Sequence, residues 1–134
     1  MDRVPADRVD YEDDGLHYLD GVPFTGVAFT ERGGALRSEA TYREGLRWGR
    51  TKEWYPSGRP MVDSMFARGE LHGRAREWHR NGQLAEDGEY EYGIALWAKQ
   101  WDESGVLEDD HMLTESDSDH RTLLHFRELY GSAS

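Results

Sequence analysis

Aromatic and glycine residues recur along this chain with a spacing of 24 residues. The aromatic series consists of Tyr18, Tyr42, Phe66 and Tyr90. Each member is followed three residues later by a glycine, namely Gly21, Gly45, Gly69 and Gly93. Three further pairs share the spacing, which are Gly49 and Gly73, Trp54 and Trp78, and Gly58 and Gly82. A period of this length is typical of repeat architectures, in which each unit is one supersecondary motif.

Each unit contains two glycine turns separated by segments of about five to eight residues, a length typical of strands. One set of turns comprises Gly33-Gly34, Ser57-Gly58, Asn81-Gly82 and Ser104-Gly105, and the alternate set comprises Asp20-Gly21, Glu44-Gly45, Arg68-Gly69 and Tyr92-Gly93. In the strands 50–55 and 74–79, Trp54 and Trp78 share one face, and Tyr55 and His79 share the other. The pattern predicts an all-β repeat fold, an elongated single-layer antiparallel β-meander of successive hairpins with about eight strands.

The pattern changes to a helical period near the C-terminus. Leu123, Phe126 and Tyr130 have helical spacing, and Gly131 is a stop signal. Ser116, Asp117 or Ser118 is expected to cap a helix of about twelve residues, which is too short to persist without packing. We expect this short C-terminal α-helix to cover the open edge of the last hairpins, and the alternative is that it contacts a partner.

Charge is distributed unevenly along the chain, whose formal net charge is -11. Residues 1–20 hold seven acids and two bases, and residues 102–119 hold eight acids and no base, whereas 21–101 is nearly neutral. Phosphate backbones and anionic lipid surfaces repel such a protein. We therefore expect a partner with a basic surface, no nucleic-acid or membrane partner, and a monomer rather than a large assembly, because like acidic flanks repel.

Two further features indicate a cytoplasmic protein. The chain has no cysteine, which excludes disulfides and thiolate chemistry. No apolar run approaches the length of a membrane helix, and the first residues lack the basic and apolar segments of a signal peptide.

Catalytic and metal-binding motifs are missing from the sequence. It has no P-loop, dinucleotide fingerprint, His-Glu-x-x-His or Gly-x-Ser-x-Gly motif. His111, His120 and His125 lie near acidic residues, but their spacing matches no known ligand pattern, so we expect loop residues there. We expect no enzymatic activity, no cofactor and no metal site.

Two acidic runs and the five tryptophans remain as candidate binding features. Neither Glu12-Asp13-Asp14 nor Glu108-Asp109-Asp110 has the spacing of a calcium loop, so each is either solvated charge or a contact surface for a basic partner. The tryptophans either supply the apolar face of the sheet or serve as interface anchors.

Several segments resemble a known family. The opening segment, 14–26, contains Tyr18 and Pro-Phe-Thr-Gly, and it resembles the first unit of the MORN-repeat-variant proteins of the YwqK-type antitoxin family. Residues 42–59 and 66–84 resemble the later units, which have an aromatic residue, a turn with glycine, and a second turn after paired aromatics. The resemblance spans about 14–108, with units starting at 18, 42, 66 and 90. It departs at Trp97, where a repeat glycine is expected, and it leaves 1–13 as an acidic segment and 109–134 as an acidic linker with a capping helix.

This resemblance implies an antitoxin or immunity protein that occludes the active site of a bacterial toxin. A toxin that processes nucleic acid needs a basic cleft, to which an acidic surface is attracted. The residues expected to contact the partner are Glu12, Asp13, Asp14, Trp54, Tyr55, Trp78, His79, Trp101, Glu108, Asp109 and Asp110. The alternative is a non-enzymatic scaffold or self-associating structural protein.

Overall fold

Antiparallel strands follow one another along most of the chain. The computed structural model describes residues 2–131. Its strands are β1 (Asp2–Pro5), β2 (Val9–Tyr11), β3 (His17–Leu19), β4 (Val22–Pro23), β5 (Gly26–Arg32), β6 (Ala35–Arg43), β7 (Leu46–Trp54), β8 (Pro60–Ala67), β9 (Glu70–Trp78), β10 (Leu84–Glu91), β11 (Ile94–Trp101) and β12 (Leu107–Met112). A 3-10 helix (Ala6–Arg8) precedes β2, and the helix α1 (Ser118–Tyr130) follows β12. The all-β repeat fold expected from the 24-residue period is confirmed.

Within residues 2–131, nine strands form the main sheet, in the order β1-β5-β6-β7-β8-β9-β10-β11-β12. Strands β5 to β12 are the expected antiparallel meander, whereas β1 pairs with β5 in parallel. Strands β2, β3 and β4 form a small second sheet. This sheet is joined to the turn between β6 and β7 by a 2.8 Å hydrogen bond from His17 N to the carbonyl oxygen of Gly45.

The flanking segments contribute more to the sheets than their acidic composition indicated. The stretch 1–13 was expected to be an acidic flank, but it supplies β1 and β2, and Val4 of β1 is buried. The expected linker after residue 108 instead begins with the last strand, since β12 extends to Met112. A single parallel edge strand has no repeat partner in the sequence, so the 24-residue pattern could not reveal it.

The turns between units have one backbone conformation. Asp20, Glu44, Arg68 and Tyr92 have φ of 50–54°, and the glycine after each has φ of 78–85°. Two successive residues with positive φ define a type I′ turn, whose twist matches that of paired strands and which favours glycine at its second position. Three of the four turns also bond to the preceding unit, as Gly45 N donates to the Phe24 carbonyl, Gly69 N to that of Arg47, and Gly93 N to that of Leu71, at 2.8–2.9 Å. The repeat therefore determines both the conformation of these turns and their contact with the preceding unit.

Glycines inside the strands mark bulges. Gly49 in β7 and Gly73 in β9 have φ of 100° and 113°. Next to Gly73, β9 carries two more residues than β8 where the register shifts. In β11, where Trp97 replaces this glycine, the strand carries only one extra residue relative to β10. The sequence departure at Trp97 therefore coincides with a different bulge.

The buried apolar side chains of residues 2–131 lie near the two ends of the main sheet. Phe24 and Tyr42 pack with Val4 and Ala28 near the small sheet. Leu123 and Tyr92 are buried at the other end. All five tryptophans are half-buried, and none belongs to either buried cluster.

The C-terminal helix packs on a turn. Phe126 and Tyr130 stack on Tyr92, with ring centroids 5.5 and 5.7 Å away. Arg127 forms a two-point ion pair with Glu91, with N–O distances of 2.7 and 3.0 Å. All six residues of β12 stay exposed, so the expectation that α1 covers the open edge strand is wrong. The helix confirms the expected stop at Gly131, and no helix in residues 2–131 has the length and apolarity to span a membrane.

One face of the main sheet carries an alternating row of charges. Across β6 to β12, directly paired residues are Glu39, Lys52, Asp63, Arg76, Asp87, Lys99 and Asp110. Opposite charges on neighbouring strands stabilise this register, whereas a slip of one residue would move the row to the other face. We call this row the charge ladder.

Diagonal arginines reinforce the ladder in two successive units. Arg50 donates two hydrogen bonds to Asp63, at 2.8 and 2.6 Å, and Arg74 donates two to Asp87, at 2.6 and 2.7 Å. These two-point bonds are the main cause that lowers the pKa of both carboxyl groups. On this face, the acids and bases of the nearly neutral middle of the chain therefore lie next to each other.

Replacing Asp87 with Asn should lower the free energy of unfolding by about 1–2 kcal/mol at pH 7, since charge-assisted hydrogen bonds are lost at a partly exposed site. Folding lowers the pKa of Asp87 below its ordinary value of 3.8. The difference in the free energy of unfolding between the wild type and the variant is therefore complete above pH 3.8, and it disappears as the pH falls through the pKa of the folded state. Urea unfolding at pH 7 and pH 3 measures this. Asp110→Asn, at the exposed end of the ladder, is the control, and an equal loss in both variants would contradict the prediction.

Candidate functional site

The face opposite the charge ladder has a floor of small side chains. Directly paired residues across this row are Val4, Ala28, Ala40, Thr51, Ser64, Ala75, Gly88 and Ala98. Because these side chains are short, they leave a groove of about 360 Å³ over β7 to β11. We call it the acidic groove for the residues beside its floor. Its volume falls within the range of ligand sites in proteins.

A second row, two residues along each strand, brings carboxylates to the groove. Glu77 of β9 pairs directly with Glu86 of β10. Glu53 of β7 lies in the same row, joined to Glu77 through Val62 of β8. None of these three glutamates has an ion-pair partner among residues 2–131. The groove face therefore differs from the ladder face, on which acids and bases alternate.

The electrostatics of the row favour a cation. Burial raises the pKa of Glu77, and the charge of Glu86, a hydrogen bond with Glu86 and the charge of Glu53 raise it further. Glu86 accepts a 2.6 Å hydrogen bond from the side-chain amide of Gln100. The pKa of Tyr90 is also raised, by burial and by these acids. A bound cation would relieve the repulsion between the carboxylates.

An aromatic ring lies on the floor of the groove. A Cβ at Gly88 would lie 2.8 Å from ring atom Cε1 of Tyr90, so only glycine leaves room for the ring in this position. Phe66 lines the same side of the groove, and the guanidinium of Arg47 lies 5.4 Å from the centroid of its ring. The groove thus has carboxylates on one side and aromatic rings on the other.

The floor also contains a polar atom without a partner. Thr51 and Ser64 are only 4% and 6% exposed. The Oγ1 atom of Thr51 makes no hydrogen bond with any residue in the described range 2–131. Buried hydroxyls normally have a partner, and this unpartnered one belongs to a residue that lines the groove.

The tryptophans proposed as anchors end their strands beyond the acidic row. Trp54, Trp78 and Trp101 are the last residues of β7, β9 and β11, and all are half-buried. The hydroxyl of Tyr55 donates to the Trp78 carbonyl at 2.7 Å, and His79 Nε2 donates to the Trp101 carbonyl at 2.8 Å. Tyr55 and His79 therefore link successive units, and their polar atoms are already used within the fold.

The two acidic runs are far apart. Glu12, Asp13 and Asp14 lie in the exposed loop between β2 and β3, where Asp14 accepts hydrogen bonds from Leu16 N and the Tyr18 hydroxyl. Glu108, Asp109 and Asp110 lie on β12, which is five strand positions from β7, or about 24 Å. Asp109 is paired with Gln100 and shares the groove face, whereas Asp110 is paired with Lys99 on the ladder face. The structure does not join the runs into one surface.

The glutamates of the groove were missed by sequence reasoning. Glu53 and Glu77 are 24 residues apart, directly before Trp54 and Trp78, so the repeat itself contained this signal. Glu86 has no such signal, since Val62 occupies its place in the preceding unit. Only the pairing of β9 with β10 brings it opposite Glu77.

The described residues hold no cluster of three or more His, Asp or Glu side chains arranged to bind a metal ion. This includes the neighbourhood of His111, His120 and His125.

Replacing Glu77 with Gln should raise the midpoint of thermal unfolding at pH 7 by a few degrees at most, since repulsion at a partly exposed site is weak. Folding raises the Glu77 pKa above 4.5, so the ionised side chain destabilises the fold at neutral pH and this penalty fades as the pH falls toward 4.5. Thermal scans at pH 7 and pH 4 measure the change, with exposed Glu31→Gln as the control. A lower midpoint for the Glu77 variant at pH 7 would contradict the prediction.

One segment of the chain matches a known protein family. Neither a curated protein nor a solved structure matches it significantly. Residues 71–92 match the family model described as MORN repeat variant. This segment comprises most of β9, the following turn and β10, including Glu77, Glu86 and Tyr90 of the acidic groove. This segment is therefore similar to a MORN repeat variant, and the other units share its 24-residue spacing.

Proposed function

We propose that this protein is a non-enzymatic binding module whose acidic groove binds a basic protein partner. The observation that carries the proposal is the row of Glu53, Glu77 and Glu86, which has no ion-pair partner within the described chain. Carboxylates that only keep a protein soluble do not have to lie together in one groove above a row of small side chains. MORN-type repeats suit a binding or scaffold role, since stacked hairpins present one continuous surface.

In its specific form, the proposal is that the partner is a bacterial toxin and that this protein is its antitoxin or immunity protein in the cytoplasm. Support comes from the resemblance of residues 14–108 to the YwqK-type antitoxins. An acidic surface would enter the basic cleft of a nucleic-acid-processing toxin and exclude its substrate. The catalytic chemistry would then belong entirely to the toxin.

In this proposal, the acidic runs 12–14 and 108–110 increase the rate of association with the partner. Long-range attraction between opposite charges accelerates encounter and weakens with salt. Asp109 lies on the groove face and extends the acidic row to the edge strand. Glu12, Asp13 and Asp14 are exposed and act on a partner only through this long-range field.

The scaffold alternative has one observation in its favour. Strand β12 is an edge strand with all six residues exposed, and such an edge is a template for pairing with a second copy. Glu108, Asp109 and Asp110 oppose that pairing, because two acidic edges repel. The binding module is therefore the better supported function.

Affinity capture from the native host lysate at low and then high salt, with mass spectrometry, tests the function. We expect one stoichiometric basic partner whose expression alone stops growth and whose effect this protein suppresses. If the captured protein consists only of further copies of this chain, the result would favour the scaffold. If nothing is captured, the result would contradict the binding proposal.

The purified partner then locates the surface. Glu77→Lys with Glu86→Lys should weaken its binding by about 100-fold or more, because two attractive contacts in the groove become repulsive. Glu31→Lys with Glu128→Lys changes the net charge equally at exposed sites outside the groove and should have an effect of less than about tenfold. Asp109→Lys with Asp110→Lys should slow association by about tenfold at low salt. Equal losses in the first two double variants would contradict binding in the groove.

A further inference from the structure

We propose that the acidic groove binds an extended segment of the partner that places an arginine side chain on Glu77 and Glu86. The inference rests on the proposed function, which supplies a basic protein partner, and it specifies the chemistry of the bound group. Three features of the groove carry it: the carboxylate pair, the ring of Tyr90 and the hydroxyl of Thr51.

The carboxylate pair suits a guanidinium better than an ammonium group. Glu77 and Glu86 are directly paired on adjacent strands, a position that places two Cβ atoms about 5 Å apart. A guanidinium is planar and has five N–H donors on two edges, so it can donate to both carboxylates in one plane. An ammonium group is a compact point charge that lacks this planar match.

Tyr90 provides a surface for the same group. Its ring lies against Gly88, one strand position from Ala98, and lines the groove beside the two acids. Arginine stacks on aromatic faces, and the fold itself uses such contacts, with the guanidinium of Arg43 4.7 Å from the centroid of Trp48. The small floor leaves space for the aliphatic part of an arginine side chain.

Thr51 indicates that the bound group is a segment rather than a single side chain. It lies on β7, three strand positions or about 14 Å from Gly88 on β10, a distance that four or five extended residues span. Thr51 Oγ1 is buried and unpartnered among residues 2–131, and rotation of this side chain about its Cα–Cβ bond would let a backbone N–H of such a segment donate to it. The occupant therefore runs across the strands, with its arginine above β9 and β10.

Blocked pentapeptides of sequence Gly-Ala-Xaa-Ala-Gly, with arginine, lysine or citrulline at the centre, test this on the whole purified protein. Titration followed by amide chemical shifts gives affinity and location together. We expect the arginine peptide to bind at least about tenfold more tightly than the lysine peptide and the citrulline peptide not to bind, because citrulline keeps the shape without the charge. The largest shifts should occur at Thr51, Ala75 and Gly88.

Variants separate the contributions of the groove. Glu77→Gln with Glu86→Gln should abolish peptide binding, and Thr51→Val should weaken it several-fold, while Glu31→Gln with Glu128→Gln should change it by less than about twofold. Amide spectra recorded without peptide establish whether each variant is folded. If the variant with both Glu77→Gln and Glu86→Gln is unfolded, the single Glu86→Gln variant is used in its place.

Equal affinity for the arginine and lysine peptides, no binding of the arginine peptide, or shifts confined to β12 or to 12–14 would overturn the inference. The proposed function would stand in these cases if the captured partner still lost affinity on Glu77→Lys with Glu86→Lys. If the partner is insensitive to that change, the proposed function in the groove fails as well.

Discussion

The register of the strands is the constraint on which both faces of this sheet depend. Side chains alternate along a strand, so a slip of one residue would exchange the charge ladder with the small-residue floor. The type I′ turns hold this register, because their twist fits a two-residue connection and the turn glycines Gly45, Gly69 and Gly93 also bond to the preceding unit. Register is thus set locally and repeated every 24 residues.

The two faces use their charges in opposite ways. On the ladder face, Asp63 and Asp87 each bind an arginine from a neighbouring strand, and these pairs stabilise the fold. On the groove face, Glu77 lies opposite Glu86 and repels it, which costs stability. The like-charged pair on the groove face is the feature on which the proposed binding of a basic partner rests.

Much of the fold could be predicted because its signals are local. The turn at Tyr92-Gly93, the bulge glycine Gly73 and the helix stop at Gly131 each require a backbone conformation that the residue itself reveals. The groove could be predicted only in part. Glu53 and Glu77 share the repeat spacing, but the unpartnered state of Thr51 and the position of the Tyr90 ring on Gly88 depend on packing between strands.

The sequence by itself determined the repeat, the alternation of turns, the acidic flanks and the helix, since each depends on spacing or on the preference of single residues. Only the tertiary structure decided which residues face one another across strands. The bulges add two residues in β9 and one in β11, so cross-strand partners cannot be counted from the period alone. For this reason the pairing of Glu77 with Glu86, the parallel strand β1 and the packing of α1 on Tyr92 appear only once the chain is folded.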